Sequence, residues 1–284
     1  ISCGNEALRS SRYAFRRHFF QHAGFRYVVS DTDATVPNTY YESDKQLSEY
    51  AEFHYGDDYF GVTNFPKTLA GIGIAAMAGK PARTALDLGC ATGRATFELA
   101  RHFDRVTGVD FSARFINLGV QLADQGSIRY TLTDEGELVS YKTRRLADMG
   151  LESVRDKVEF FQGDACNLKP VFSSYDFILA ANLIDRLYDP AQFLRTIHER
   201  LNMGGVLMIT SPYTWLEEHT KREDWLGGFK KDGESWTTLD ALKAILGDRF
   251  RLMQAPQDVP FVIRETRRKF QHTLSEVTLW ERIS

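Results

Sequence analysis

Short runs of apolar, mostly β-branched residues alternate with amphipathic stretches along most of this chain. The runs are "TALDLGC" (84–90), "VTGVD" (106–110), "VEFFQGD" (158–164), "YDFILAANL" (175–183) and "GVLMITS" (205–211). Each has the length of a strand, and their nearly continuous hydrophobicity marks strands buried on both faces. Between them, "GRATFELARHF", "SARFINLGVQLAD" and "PAQFLRTIHERL" repeat apolar positions at helical spacing. That alternation predicts right-handed crossovers and a mainly parallel sheet with helices on both faces. Ahead of it, "KQLSEYAEFHYG" and "PKTLAGIGIAAMAG" read as two helices, each closed by a glycine and the second opened by Pro66.

Two stretches break the rhythm. Residues 128–146 alternate apolar and polar positions around "DEGE", the pattern of a hairpin inserted after the second crossover helix. The C-terminal "FRLMQAPQDVPFVIRE" and "TLSEVTLWERI" have strand character with no helix between them, which predicts a final antiparallel pair. Upstream, "SDTDATVPNTYYESD" has the polar, proline-containing composition of a linker. The expected organisation is a tail at 1–28, a linker at 29–42 and one α/β domain at 43–284.

Composition narrows the function. With 284 residues, 43% of them hydrophobic, the chain can bury a substantial core. The 35 basic and 38 acidic residues leave a net charge of −3, without the cationic surplus that grips a polyanion, so no nucleic-acid partner is expected. Cys3, Cys90 and Cys166 are far apart and odd in number, which suits a reducing, cytoplasmic location. No cluster has metal-ligand spacing, so no metal is expected, and no apolar run is long enough to cross a membrane.

The stretch "LDLGCATGRA" places a glycine-rich turn between a strand and a helix, where Gly89 and Gly93 let the backbone turn tightly beside a nucleotide-like ligand. Such turns are common by themselves. Here, however, a second strand ends at Asp110, where a carboxylate can accept from both hydroxyls of a ribose. A third strand ends at Asp164, and a fourth runs into "ANLIDRLYDP". Acidic or amide groups at the carboxyl ends of adjacent strands converge on one crevice.

"LDLGCATG", "GVDFS", "GDA" and "YDFILAANLID" together resemble the motif series of class I S-adenosylmethionine-dependent methyltransferases, over about residues 84–211. The resemblance implies a Rossmann-like, mainly parallel seven-stranded sheet with an antiparallel C-terminal strand, and S-adenosylmethionine as cofactor. It also implies that Asp87, Gly89, Cys90, Ala91 and Gly93 line the methionine and ribose end, that Asp110 holds the ribose hydroxyls, and that Ser112 belongs to the cofactor site. Phe111 and Ala165 would sandwich the adenine, Asp164 would accept from its amine, and Asn182 would border both cofactor and acceptor. Ala91 stands where that family usually has its central glycine. This makes a dinucleotide pyrophosphate an unlikely ligand, because its approach needs bare backbone.

The opening "RYAFRRHFFQHAGFRYV" resembles the closing segment of the sulfoxide synthase domain in bifunctional ovothiol-biosynthesis enzymes, where a methyltransferase follows in the same polypeptide. "TYYESDKQLSEYAEFHYGDDYFGVTNFPK" and "AANLIDRLYDP" resemble the C-terminal region of the same family. The resemblance implies a piece of a longer, multifunctional chain whose preceding synthase domain is a partner and would carry any iron site. It further implies that 5-thiohistidine is the substrate and that the ring nitrogen nearest the side chain is methylated, giving ovothiol A.

Candidate acceptor-site residues are Asn182, Asp185 and Arg186 after the fourth strand, Tyr213 and Trp215 after the fifth, and Tyr40, Tyr41, Glu42 and Tyr55 from the front segment. Asp185, Asn182 and Tyr213 are expected to be catalytic, with Asp185 orienting the imidazole. Each also has a structural alternative: a surface ion pair for Arg186, core packing for any one tyrosine, and a helix cap for Asp185, although Asp189 before Pro190 caps better. The rival readings are a methyltransferase for another small amine, phenol or thiol, an NAD-dependent oxidoreductase, and a non-catalytic cofactor-binding regulatory module. The absence of a G-x-G-x-x-G run weighs against the oxidoreductase.

Overall fold

The computed structural model describes residues 43–284. Two helices come first, α1 (Asp44–Tyr55) and α2 (Phe65–Ala76). The sheet then begins with β1 (Thr84–Leu88), α3 (Arg94–Leu99), β2 (Arg105–Asp110) and α4 (Ala113–Gln125). A two-stranded insertion follows, β3 (Ser127–Glu135) and β4 (Leu138–Arg145), before β5 (Val158–Gln162), β6 (Tyr175–Ala181), α5 (Pro190–Thr196) and β7 (Leu201–Ser211). The C-terminal part holds β8 (Phe229–Lys231), β9 (Glu234–Trp236), α6 (Thr238–Leu246), β10 (Phe250–Leu252), β11 (Gln257–Arg264) and β12 (Phe270–Arg282).

The helix ends follow from their caps. Ser43, Asn64, Ser112 and Asp189 each accept a backbone N–H of the first turn they precede, and Pro66 and Pro190 occupy first-turn positions where no N–H is needed. Thr237 and Asp240 close a reciprocal capping box on α6. That helix and the β8–β9 hairpin, which turns at Asp232–Gly233, add to the elements expected from the hydrophobic pattern.

The main sheet runs β5-β2-β1-β6-β7-β12-β10, and β11 pairs only with β12. β5, β2, β1, β6 and β7 are parallel, while β12 lies antiparallel to β7, β10 and β11. The anticipated final antiparallel pair is present, and the anticipated hairpin after α4 is β3–β4. Strand order reverses between β1 and β6, and open α/β sheets of this kind bind ligands beyond the carboxyl ends of the strands at that point.

Two apolar layers hold the sheet. Phe97, Phe103, Phe160 and Phe177 pack with α1 to α4 on one face, and Phe193, Leu242, Leu246 and Trp280 pack with α5 and α6 on the other. The Phe160 ring is enclosed by glycines: a Cβ at Gly93, Gly108 or Gly119 would stand 2.5, 2.7 or 3.0 Å from it. A fully buried phenylalanine contributes about 2 to 3 kcal/mol, so this cage fixes the height of the glycine-rich turn above β1. β12 continues past the end of β7, and its first half pairs with β11 to form a flap that packs on α1 and α2. Among the described residues no helix is long and apolar enough to cross a membrane.

Candidate active site

Residues 89–93 leave β1 in a series of left-handed conformations: Gly89 has φ +69°, Ala91 +45° and Gly93 +90°. For Gly93 the requirement comes from the core, because a side chain there would strike Phe160. Ala91 adopts a conformation costing roughly 1 kcal/mol for a residue with a Cβ. Its N–H donates to Asp110 Oδ2 at 2.8 Å, which offsets that cost. The other Asp110 oxygen, Oδ1, accepts the N–H of Ser112 at 2.8 Å. Asp110 thus ends β2 as anticipated and ties the turns after β1 and β2 to one carboxylate.

Asp87 is fully buried below this turn and accepts the Thr96 hydroxyl at 2.7 Å. Burial, augmented by the Asp110 charge, raises its carboxyl to about 7. Burial also pushes the Cys90 thiol well above its ordinary range, so the thiol stays protonated. Phe111 stands 39% exposed at the end of β2, and its carbonyl accepts from Gln162. β5 stops at Gln162, and Asp164 caps the short helical turn Ala165–Asn167, with Oδ1 accepting the Cys166 N–H at 2.8 Å. Its Oδ2 accepts the Tyr188 hydroxyl at 2.9 Å.

The residues after β6 and β7 form the opposite wall. Asn182 is left-handed at φ +49°, and its N–H donates to Thr210 Oγ1 at 3.1 Å. That hydroxyl donates back to Asn182 Oδ1 at 2.9 Å, and Ser275 of β12 donates to the same oxygen at 2.7 Å. Both bonds turn the Asn182 amide oxygen inward, leaving its N–H₂ as the donor at the crevice. Tyr213 is also left-handed, at φ +54°, and its hydroxyl donates to Glu276 Oε1 at 2.6 Å. Burial and the Glu276 carboxylate raise the Tyr213 phenol above its usual range. Asn182 and Tyr213 thus hold left-handed backbone at the ends of adjacent strands.

Three anticipated substrate contacts are corrected by the geometry. Asp185 is 0% exposed, and its Oδ2 accepts the Thr214 N–H and Arg186 Nη1, each at 3.0 Å. Its Oδ2 therefore holds the loop after β7, while its buried Oδ1 has no hydrogen-bond partner among the described residues, and burial raises its pKa despite Arg186. Tyr55 is 1% exposed and donates to the Thr92 carbonyl at 2.7 Å, propping the glycine-rich turn from beneath. Trp215 is buried, its indole N–H donating to Thr238 of α6 at 3.0 Å. Arg186 bridges the Asp185 and Thr214 carbonyls, each at 2.9 Å. Tyr40, Tyr41, Glu42, the tail and the whole linker lie outside the described residues. His54 is buried, and its Nδ1 accepts the Arg94 N–H at 3.3 Å; burial and the Arg94 charge lower it to about 3.

Nothing in the spacing of residues marks Tyr188, Thr210, Ser275 or Glu276 as part of the site. The first sits in an ordinary-looking loop, and the last two reach the site only through the β12–β7 register, which pairs Glu276 with Ser211.

The chemistry of the cofactor half fits an adenosine that carries positive charge and no phosphate. Asp110 and Asp164 present acceptors suited to hydroxyl and amine donors, and Phe111 offers an aromatic face. The nearby guanidiniums are already paired, Arg94 with Glu98 at 2.8 Å and Arg114 with Asp44. A cofactor-binding α/β enzyme is the class that fold and site define.

A family profile described as a methyltransferase domain matches residues 66–249, more than half of the chain. The chain belongs to that methyltransferase-domain family, and it is an S-adenosylmethionine-dependent methyltransferase. By structure it is similar to the [4+2]-cyclase SpnF, with TM-score 0.51 and 12% identity over 85% of this chain and 96% of that one. It is equally similar to the putative methyltransferase complexed with the Trm112 activator of Haloferax volcanii, with TM-score 0.51 and 17% identity over 86% and 96%. The magnesium protoporphyrin IX methyltransferase of Synechocystis PCC 6803, solved with bound SAH, has TM-score 0.49 and 14% identity over 85% and 96%. No curated protein matches the chain by sequence.

Proposed function

We propose that this enzyme methylates the imidazole nitrogen nearest the side chain of 5-thiohistidine, giving ovothiol A. S-adenosylmethionine supplies an electrophilic methyl on a sulfonium. In the transfer a nitrogen lone pair forms the new N–C bond, the sulfonium C–S bond breaks, S-adenosylhomocysteine leaves and the proton of the methylated ring passes to solvent water. The observation that carries the reading is the wall built by Asn182, Tyr213 and Glu276, which offers an amide donor, a phenol and a carboxylate beside the cofactor half. The identity of the acceptor comes from the resemblance of the opening segment to the end of an ovothiol-biosynthesis synthase domain.

The electrostatics of that wall suit an amino-acid acceptor. Glu276 stands directly opposite Asp258 in the β11–β12 ladder, a pairing of like charges that costs stability. No basic side chain forms an ion pair with either among the described residues, so a substrate ammonium is a complementary partner. Selectivity is the harder chemical problem, because the thiohistidine sulfur is the softer and stronger nucleophile toward a sulfonium methyl. Nitrogen wins only if its lone pair is held in line with the bond that breaks, an effect worth several kcal/mol. Fixed donors and acceptors on strand ends provide such positioning.

The test is direct. The protein is incubated with S-adenosylmethionine and 5-thiohistidine, products are followed by mass spectrometry, and the methylated atom is assigned by NMR. A single product carrying the methyl on the near ring nitrogen is expected. Methylation on sulfur, or no turnover while S-adenosylhomocysteine binds normally, refutes the acceptor assignment and leaves the methyltransferase class standing.

A further inference from the structure

Tyr188 is 57% exposed, yet its hydroxyl donates to Asp164 Oδ2 at 2.9 Å across the gap between the segments that follow β6 and β5. An exposed phenol can always hydrogen-bond to water, so a fixed bond to a residue 24 positions upstream is a specific arrangement. The same two segments are tied a second time, where Cys166 Sγ donates to the Asp189 carbonyl at 3.5 Å. Asp164 is consequently gripped from both sides, Oδ1 by the Cys166 N–H and Oδ2 by Tyr188. Each carboxylate oxygen accepts two hydrogen bonds, so one lone pair on each stays available to a ligand. Burial and the Asp164 carboxylate raise the Tyr188 phenol above its ordinary range, and it therefore remains a donor at every working pH.

We propose that Tyr188 is the residue that sets purine specificity: it locks the Asp164 carboxylate as a pure acceptor aimed at the exocyclic amine of the cofactor's adenine. This rests on the reading of Asp164 as the acceptor for that amine. A clamped carboxylate rewards a base with an N–H donor at the 6-position and penalises one with a carbonyl there, because two acceptors then face each other unpaired. Released from the clamp, Asp164 can rotate away from a 6-oxo purine, and the penalty shrinks. The phenol thus acts on cofactor choice through Asp164, as a positioning residue.

Isothermal titration calorimetry of the full chain with S-adenosylhomocysteine and with S-inosylhomocysteine, its 6-oxo counterpart, tests this. The wild-type protein is expected to favour the adenine form by at least about tenfold. Tyr188→Phe keeps the ring and removes only the donor; it should cut that preference to about threefold or less. Asp164→Ala should abolish it. If Y188F weakens both ligands equally, or leaves the preference intact while D164A abolishes it, Tyr188 merely packs beside the base and the proposal is overturned, with the role of Asp164 upheld. Should D164A retain the wild-type preference, the proposal falls together with its premise.

Discussion

The two halves of the crevice are built differently. On the cofactor half, the ends of β1 and β2 are joined by a carboxylate gripping backbone N–H groups: Asp110 accepts from Ala91 and Ser112 within a 22-residue segment, 91–112. On the acceptor half, Asn182 is set by Thr210 and by Ser275, 93 positions away, and Tyr213 by Glu276, 63 positions away. The first half is local and mostly backbone, so it constrains sequence tightly. The second is a convergence of side chains from β6, β7 and β12, any of which can be exchanged without unmaking the sheet. One fold can therefore keep its cofactor while its acceptor changes.

The sharpest way to break this comparison is at Asp110. Its removal should weaken S-adenosylhomocysteine binding by about 1.5 to 3 kcal/mol, roughly ten- to a hundredfold, through loss of charge-assisted hydrogen bonds. Because Ala91 and Ser112 also lose their acceptor, Asp110→Ala should lower the melting temperature as well. Calorimetry and thermal melts read the two effects separately. Unchanged affinity would mean that the carboxylate serves the turns alone.

Next comes Asn182. Asn182→Ala removes the outward amide and keeps a side chain at φ +49°, whereas Asn182→Gly removes the amide and relieves the backbone. Both should lower kcat by about ten- to a hundredfold, or about 1.4 to 2.7 kcal/mol, with the glycine variant the more stable of the two. If Asn182→Gly retains wild-type turnover, the left-handed backbone alone is what the site requires.

A smaller effect is expected at Tyr213. Tyr213→Phe deletes the bond to Glu276 without altering the ring, and a single hydrogen bond of this kind is worth about 0.5 to 1.5 kcal/mol, or about two- to tenfold in kcat/KM for the acceptor. Cofactor affinity should stay the same. A loss confined to cofactor binding would assign Tyr213 to the other half of the crevice.

How much of each half was legible in the sequence follows from the same contrast. "LDLGCATG" and "GVD" encode their geometry in adjacent residues, so the turn from Gly89 to Gly93 and the strand end at Asp110 could be read directly, whereas Asp87, expected to line the ligand, is buried beneath the turn on Thr96. Even there the reason for Gly93 was hidden, because the ring that excludes a side chain belongs to Phe160, 67 positions on. The acceptor half depends on strand register. Ser275 and Glu276 look like ordinary residues of a C-terminal strand until β12 is paired with β7. Tyr55 and Trp215 resembled pocket aromatics because the partners that occupy their polar atoms, Thr92 and Thr238, cannot be inferred from spacing. For Trp215 the reason is definite: α6, which carries Thr238, is short, and its sequence does not stand out from the loops around it. Asp185 was correctly separated from the cap of α5, which is Asp189, but its partners Thr214 and Arg186 show that it works from inside the wall.

The smallest effect expected in the wild-type protein arises from two large ones that oppose each other beneath the cofactor half. Asp87 has its carboxyl raised from 3.8 to about 7 by burial and the Asp110 charge, against the Thr96 hydrogen bond. Between these values the folded chain holds a proton that the unfolded chain has released, so stability falls as pH rises, by at most about 1.4 kcal/mol per unit. His54 is lowered from 6.5 to about 3 by burial and Arg94. Between those values the unfolded chain binds a proton that the folded chain refuses, so stability rises with pH at the same limiting slope. From about pH 4 to 6.5 the two contributions cancel, and only below and above that window does one act alone. Asp87→Asn should remove the first and leave the variant gaining on wild type as pH increases from 4.5 to 6.5. His54→Asn, which can still accept the Arg94 N–H, should remove the second and gain on wild type as pH decreases over the same range. Urea denaturation at pH 4.5, 5.5 and 6.5 measures both differences. Variant curves that run parallel to wild type would show that neither group changes its proton occupancy on folding, and that the polar floor of the cofactor half is solvated in a way the buried geometry of Asp87 and His54 does not allow.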